Sequence, residues 1–206
     1  MRNKDRVNPF AQAVTWGMVI FFLILIMLFI SGCATIQSTP PVETTFPAIT
    51  VEEEMFTLSS SAFSDNGRIA DRYTYSMGKQ CSGENYSPPL NWAGAPEGTA
   101  SFLLTMLDPD GGNWVHWLLV NIPPDATSLE EAVNGPETGI AGRNSFGGNG
   151  YGGPCPPSGM HHYVFTLYAL DTTLDVKPGV NLKDVTAQIS GHILGQCQLT
   201  GLRSAK

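Results

Sequence analysis

Basic residues are scarce in this chain. Its 206 residues include 11 Lys and Arg against 18 Asp and Glu, a formal net charge of −7. Three of the basic residues precede Cys33, so the remainder carries 8 basic against 17 acidic residues and contains no basic run. A protein that binds nucleic acid needs a basic patch to meet the phosphate backbone. We therefore expect no nucleic-acid partner, and no association with anionic lipid unless the chain is anchored.

Several signatures of catalysis and metal binding are also missing. The sequence contains no G-x-S-x-G, no H-E-x-x-H and no C-x-x-C. These absences disfavour an α/β-type serine hydrolase, a zinc metalloprotease and a structural zinc site. We expect a protein that is not an enzyme and that has no catalytic residue, no metal and no cofactor.

The longest apolar run lies near the N-terminus. Residues 16–30 are apolar except for Gly17, follow a basic start and end at Ile30-Ser31-Gly32-Cys33. A charged start, an apolar core and small residues form a secretory signal, and a run this short falls below the roughly 20 residues of a spanning helix. The tetrapeptide resembles a bacterial lipobox, which implies a lipoprotein signal peptide over 1–32 and lipidation of Cys33. An uncleaved signal anchor extended back through 11–15 is the alternative.

Residues 33–54 combine the lipidated cysteine with a segment rich in Thr, Ser, Pro and Glu. The segment has no apolar period and is typical of a flexible tether. We therefore expect a membrane-anchored lipoprotein of the bacterial cell envelope, held through Cys33. Ala34 follows the cysteine, and by resemblance to sorted lipoproteins this favours the outer membrane if the cell has two.

Residues 55–206 read as one mainly β domain. Apolar runs bounded by Gly and Pro predict strands at 55–63, 73–76, 101–107, 114–122, 163–170 and 199–202. Val185, Ile189 and Ile193 recur every four residues, which predicts an amphipathic helix over Leu182–Leu194. A capping-box pattern predicts a second, short helix over Ser128–Val133. Many strands with few helices indicate a β-sandwich with peripheral helices.

Two polar clusters stand at the ends of the strongest strands. Asp108 and Asp110 precede the 114–122 run and His116 lies near its start, while His161 precedes the 163–170 run and Tyr163 begins it. Alternation along a strand places His161 and Tyr163 on one face and His162, exposed, on the other. Taken alone, Asp-Pro-Asp-Gly is an ordinary turn and a lone His an ordinary half-buried residue, as we expect for His192.

Together, the two clusters can build a small pocket for an anion. Imidazole and phenol groups donate hydrogen bonds to phosphate and carboxylate oxygens. Asp108 would orient an imidazole or raise its pKa, which favours the cationic form. The glycines at 151–153 would let backbone N–H groups approach an oxyanion.

The motifs around these clusters resemble a known family. D-P-D, W-x-H-W-x-x-x-N-I-P, N-S-F-G, G-Y-G-G-P-C-P-P-S-G and H-H-Y-x-F-x-L-Y-A-L are similar to the phosphatidylethanolamine-binding proteins, in particular the bacterial branch named after Raf kinase inhibitor. The resemblance implies a sandwich of two antiparallel sheets with an anion pocket at one end. The family's pocket positions fall on Asp108, Trp114, His116, Gly153, His161 and Tyr163.

The resemblance leaves the activity open. Relatives bind phosphate, acetate or phosphoethanolamine-like head groups, so we expect a small anionic ligand or a phospholipid head group. Eukaryotic relatives also modulate kinases, proteases or transcription complexes, so a modulator of an envelope protease or kinase-like partner is the alternative, and a hydrolase a third. The usual D-P-D-A-P is D-P-D-G-G at Asp108–Gly112, which predicts a looser turn and an altered pocket rim.

Beyond Cys33, three cysteines remain: Cys81, Cys155 and Cys197. Three cysteines can form at most one disulfide within the chain, and the oxidising envelope would permit one. Relatives that resemble cytoplasmic proteins also carry cysteine at the first two positions, so the pairing stays open.

Overall fold

The longest apolar runs of the domain form its longest strands. The structure, a computed structural model, describes residues 54–132 and 138–206. The predicted signal peptide, Cys33 and all but the last residue of the predicted tether lie outside these ranges. The strands are Thr57–Ser59 (β1), Gly67–Arg68 (β2), Ser76–Met77 (β3), Cys81–Ser82 (β4), Leu90–Ala93 (β5), Ser101–Asp108 (β6), Trp114–Ile122 (β7), Ser128–Leu129 (β8), Ile140–Ala141 (β9), Met160–Leu170 (β10) and Ile193–Ser204 (β11).

Two sheets form the sandwich. The larger has the strand order β2-β11-β10-β6-β7-β9, and the smaller has the order β1-β5-β8. Strands β3 and β4 pair separately as a two-stranded ribbon. Among the strands of the described residues, every pairing is antiparallel except that of β2 with β11, which is parallel. The expected mainly β sandwich is confirmed, with this one parallel edge as the exception.

The large sheet is buried on both faces. Phe102 and Leu104 of β6 and Trp117 of β7 belong to the core between the sheets. Leu103 and Leu118, which alternate with them, pack on the opposite face under the α-helix Leu182–Gln188 (α1). Burial on both faces explains why β6 and β7 read as continuous apolar runs rather than alternating ones. Each such fully buried side chain contributes roughly 1.5–3 kcal/mol.

The late helix is shorter than its apolar period predicts. Asn181 caps α1 by accepting a hydrogen bond from the Asp184 N–H at 2.9 Å, as an N-cap does. The helix ends at Gln188, and Gly191 takes a left-handed backbone conformation with φ of +85°. Ile193 therefore begins β11 instead of a further helical turn, and the predicted strand at 199–202 is the second half of that long strand. No helix in the described ranges is long and apolar enough to cross a bilayer.

Two other local predictions are wrong. Ser128–Leu129 is a short strand rather than a helix start, because Leu129 is buried opposite Leu90 of β5. Val133, the end of that predicted helix, lies outside the described residues. The predicted strand at 73–76 begins instead with a 3-10 turn, Asp71–Tyr73, and β3 starts only at Ser76.

A disulfide joins Cys81 to Cys155, and Cys197 is free. The bond links the β3–β4 ribbon to the loop that precedes β10. The Cys197 thiol is half-buried on β11, and burial raises its pKa to about 12. The sequence left the disulfide pairing open, and the fold decides it by bringing Cys81 and Cys155 together.

Removing this disulfide should destabilise the domain. The two cysteines are 74 residues apart, and closing so long a loop restricts the unfolded chain by about 4 kcal/mol in the chain-entropy description. The variant Cys81→Ser/Cys155→Ser should therefore unfold at lower urea concentration than the wild type. The control Cys197→Ser, which removes a half-buried thiol but no disulfide, should lose much less stability than the double variant. Equal stability of the double variant and the oxidised wild type would contradict the expectation.

Candidate functional site

The turn between β6 and β7 holds the first carboxylate. Asp108 ends β6, and its Oδ1 accepts a hydrogen bond from the Gly111 N–H at 2.8 Å. A Cβ on Gly111 would lie 2.9 Å from Asp108 Oδ2, so the absence of a side chain lets the turn close over the carboxylate. This hydrogen bond joins Gly111 to the Asp108 carboxylate, and the looser turn expected from the two glycines stays a prediction.

Asp108 also holds the imidazole of His161, at the start of β10. Asp108 Oδ2 and His161 Nδ1 are 2.7 Å apart, and the two side chains are only 6% and 12% exposed. Because the carboxylate accepts, Nδ1 donates and Nε2 stays uncommitted. The expectation that Asp108 orients an imidazole is met at His161.

His162 points to the other side of the strand, as alternation predicts. Its side chain is exposed, and its backbone N–H lies 2.8 Å from Asp110 Oδ2, with Nδ1 at 2.9 Å from the same oxygen. These hydrogen bonds lower the pKa of Asp110. Asp110, the second carboxylate of the turn, thus hydrogen-bonds to His162, which faces away from Tyr163.

His116 on β7 is held by the loop that precedes β10. Its Nδ1 lies 2.6 Å from the Gly152 carbonyl oxygen, and the Gly152 N–H donates to the His116 carbonyl at 2.8 Å. The residue is 3% exposed, and burial lowers the pKa of the imidazole below its usual value. Burial penalises the charged form of an imidazole, so the surroundings of His116 disfavour its cationic form.

Tyr163 contributes a buried hydroxyl with no hydrogen-bond partner. Its ring meets the His116 ring edge to face, with centroids 5.0 Å apart. The backbone N–H of Cys155 lies near the hydroxyl without completing a hydrogen bond. Burial raises the pKa of Tyr163 above that of a free phenol, so the group remains a protonated donor.

An aromatic wall completes the site. Phe146 meets the rings of Trp114 and His116 edge to face, with centroid distances of 5.6 and 5.4 Å. On its other side it stacks on Tyr75 at 4.1 Å. Phe146 belongs to the N-S-F-G motif but was not among the residues predicted for the site. The sequence did hold a signal, since Phe146 is an aromatic residue within a Gly- and Asn-rich loop.

These groups surround one cavity of about 460 Å³. The strands and turn contribute Asp108, Asp110, Gly111, Trp114, His116, His161 and Tyr163; the ribbon and loops contribute Met77, Gln80, Phe146, Cys155, Pro157 and Ser158. The lining therefore includes five of the six predicted pocket residues. It contains two carboxylates but neither lysine nor arginine. Among the described residues, no group of three His, Cys, Asp or Glu side chains is placed to hold a metal ion.

Gly153, the sixth predicted residue, does not line the cavity. Its N–H donates to Asn85 Oδ1 at 2.8 Å, and a Cβ at this position would lie 2.2 Å from the Tyr73 carbonyl oxygen. The glycine therefore allows close contact with the backbone near Tyr73. The N–H groups of Gly152 and Gly153, expected to meet an oxyanion, are both committed within the protein.

Comparison with known proteins agrees with this geometry. The family described as phosphatidylethanolamine-binding protein matches residues 59–204. The chain belongs to the phosphatidylethanolamine-binding protein (PEBP) family. The crystal structure of Escherichia coli YbcL, described as a member of that family, superposes with a TM-score of 0.69 at 33% identity, covering 74% of this chain and all of YbcL.

Proteins with similar sequences come from archaea and bacteria. A UPF0098 protein of Methanothermobacter thermautotrophicus is 49% identical over 151 residues, 70% of this chain and 96% of the relative. A Mycobacterium tuberculosis protein named "Putative lipoprotein LppC" is 36% identical over 176 residues, 80% of this chain and 83% of the relative. The PEBP identity and fold inferred from the sequence motifs are confirmed.

The buried imidazole should make stability depend on pH. The pKa of His116 is lowered from 6.5 in the folded protein, so below about pH 6.5 the unfolded chain binds more protons. The free energy of unfolding should then fall with decreasing pH, by at most about 1.4 kcal/mol per pH unit, until the folded-state pKa is passed. Urea unfolding between pH 7.5 and 5 measures this slope.

The variant His116→Gln should lose this component of the slope. His192→Gln is the matched control, because His192 pairs with Asp171 in an exposed position away from the cavity. The control should keep the wild-type slope. An unchanged slope in His116→Gln would show that the buried imidazole does not titrate as its surroundings imply.

Proposed function

We propose that this PEBP-family protein binds a small oxyanion in the cavity, such as phosphate, a carboxylate or the phosphate of a lipid head group. The observation that carries the proposal is the unpartnered Tyr163 hydroxyl beside His116 and His161, each of which keeps one ring nitrogen uncommitted. The phenol hydroxyl donates well to an oxyanion oxygen, and an imidazole nitrogen donates to such an oxygen or accepts from a protonated one, according to where its own proton lies. A buried polar group without a partner costs about 1–3 kcal/mol, and a bound oxygen would relieve that cost.

The size and the walls of the cavity suit a small ligand. Its volume, about 460 Å³, falls within the range of about 300–1,000 Å³ for small-molecule sites. Phe146 and Trp114 offer apolar surface beside the polar groups, which would receive the organic part of a monoester or carboxylic acid. The absence of lysine and arginine from the lining favours a ligand of low charge.

We propose binding without turnover at this site. Among the described residues, no serine, threonine or cysteine side chain hydrogen-bonds to His116 or His161, as a nucleophile activated by a base would do. The sulfur of Cys155, which lines the cavity, is held in the disulfide with Cys81. The polar groups are thus arranged to hold an anion rather than to attack a substrate.

We also propose that the protein is an envelope lipoprotein anchored through Cys33. The support is the lipobox-like sequence before this cysteine and the lipoprotein name of the M. tuberculosis relative. Two or more acyl chains would hold the domain stably, since each buried methylene contributes about 0.8 kcal/mol.

Removal of the Tyr163 hydroxyl should weaken anion binding. A hydrogen bond to a charged oxygen contributes roughly 1.5–3 kcal/mol, so Tyr163→Phe should bind inorganic phosphate at least tenfold less tightly in titration calorimetry. Tyr168→Phe is the matched control, because this tyrosine of the same strand packs against the cluster under α1. Equal affinity in Tyr163→Phe and the wild type, or no phosphate binding by the wild type, would refute the proposed site.

Substitution of the proposed lipid acceptor should release the protein from the membrane. Cys33→Ser should move the chain from the membrane fraction to the soluble fraction or leave its signal uncleaved, and intact mass should show no acyl chains. Cys197→Ser, which removes a thiol on β11, should keep both the lipid and the membrane fraction. A Cys33→Ser chain that still carries acyl groups would exclude this anchor.

A further inference from the structure

The tautomer of His116 is set by its neighbour in the loop. A carbonyl oxygen can only accept, so the 2.6 Å contact with Gly152 requires a proton on Nδ1. In the neutral ring, Nε2 then carries a lone pair and no proton. The ring sits edge-on to Phe146 and Tyr163 and is 3% exposed. The nitrogen left for a ligand is thus an acceptor, whereas an ionised phosphate oxygen needs a donor.

The charged and polar groups around the His116 ring do not outweigh its burial, which favours the neutral form. Asp108 at the end of β6 favours a charged ring, His161 on β10 opposes it, and the loop contributes only the carbonyls of Gly152 and Gly153. Tyr163, also on β10, stays protonated. Burial outweighs the favourable contributions, so the pKa of His116 lies below its usual value.

The charges of the cavity wall also disfavour a dianionic ligand. Asp108 and Asp110 both line the cavity, and no lysine or arginine is present in the lining. A dianion would therefore meet two carboxylates with no lysine or arginine to offset them, and one of its oxygens would face the lone pair of Nε2. A ligand with one fewer negative charge and one O–H group avoids both penalties.

We propose that the cavity selects a phosphate that carries one proton, as free phosphate or a phosphomonoester does, with its P–OH group donating to Nε2 of His116. A phosphodiester, such as an intact phospholipid, has no P–OH group to offer. This selectivity presupposes the oxyanion site proposed above and narrows its ligand to soluble phosphate or a monoester. The Tyr163 hydroxyl would donate to an ionised oxygen of the same phosphate.

The pH dependence of binding follows from the ligand. The second pKa of a phosphomonoester is about 6, so its monoprotonated fraction falls roughly twentyfold from pH 5.5 to pH 7.5. Methyl phosphate should bind roughly twentyfold more tightly at pH 5.5 than at pH 7.5. Binding at pH 7.5 should also take up close to one proton, because the complex holds a proton that the free dianion lacks.

Titration calorimetry on the full chain in a non-ionic detergent tests this. Methyl phosphate and dimethyl phosphate are titrated at both pH values, in buffers of different ionisation enthalpy that reveal the proton count. Dimethyl phosphate should bind at least several-fold more weakly than methyl phosphate at pH 5.5. Equal affinities of the two esters at pH 5.5, or methyl phosphate binding at pH 7.5 without proton uptake, would overturn the selectivity and leave the oxyanion site standing. If neither ester nor inorganic phosphate binds at either pH, the proposed function fails as well.

Variants then test which histidine accounts for the proton that is taken up when the ligand binds. His116→Gln places an amide that can donate to a dianion, so its methyl phosphate affinity should change little with pH and its proton uptake at pH 7.5 should vanish. His192→Gln, remote from the cavity, should behave as the wild type. Loss of proton uptake in His161→Gln but not in His116→Gln would overturn the assignment. The proton count of the wild type tests the selectivity even if His116→Gln fails to fold.

Discussion

The register between β6 and β10 is the constraint on which the site depends. Leu107 lies opposite Val164, so the last residue of β6 and the first residues of β10 reach the same end of the sheet. Asp108 and His161, 53 residues apart, are thereby brought to 2.7 Å. Because side chains alternate along a strand, a slip of one residue would turn Tyr163 away from the cavity. Burial of the sheet on both faces makes such a slip unfavourable.

The polar groups of the cavity are held mainly by the protein's own backbone and carboxylates. Asp108 takes one hydrogen bond from Gly111 and one from His161, and His116 gives its own to Gly152. The groups that remain for a ligand are Nε2 of His116, Nε2 of His161 and the Tyr163 hydroxyl. In the proposed site, recognition of an anion would then rest on proton positions rather than on net positive charge, which is consistent with a domain as acidic as this one.

Parts of the fold were predictable because they depend on local pattern and burial alone. β7 was predicted with its observed bounds, since a long apolar run buried on both faces has few alternatives to a central strand. The short elements were not predictable. Ser128–Leu129 matched a capping box but forms a strand because Leu129 packs opposite Leu90, and Gly191 breaks a four-residue period that continues into Ile193.

The sequence by itself determined the family, the sandwich class and five of the six cavity residues predicted, because those depend on motifs and on strand alternation. Only the tertiary structure decided the rest. It paired Cys81 with Cys155, placed Phe146 in the wall and removed Gly153 from it, because these depend on how loops approach one another across the sheet end. It also decided that burial lowers the pKa of the His116 imidazole and that Nδ1 donates to the Gly152 carbonyl, since these depend on the surroundings of the ring rather than on the residue type.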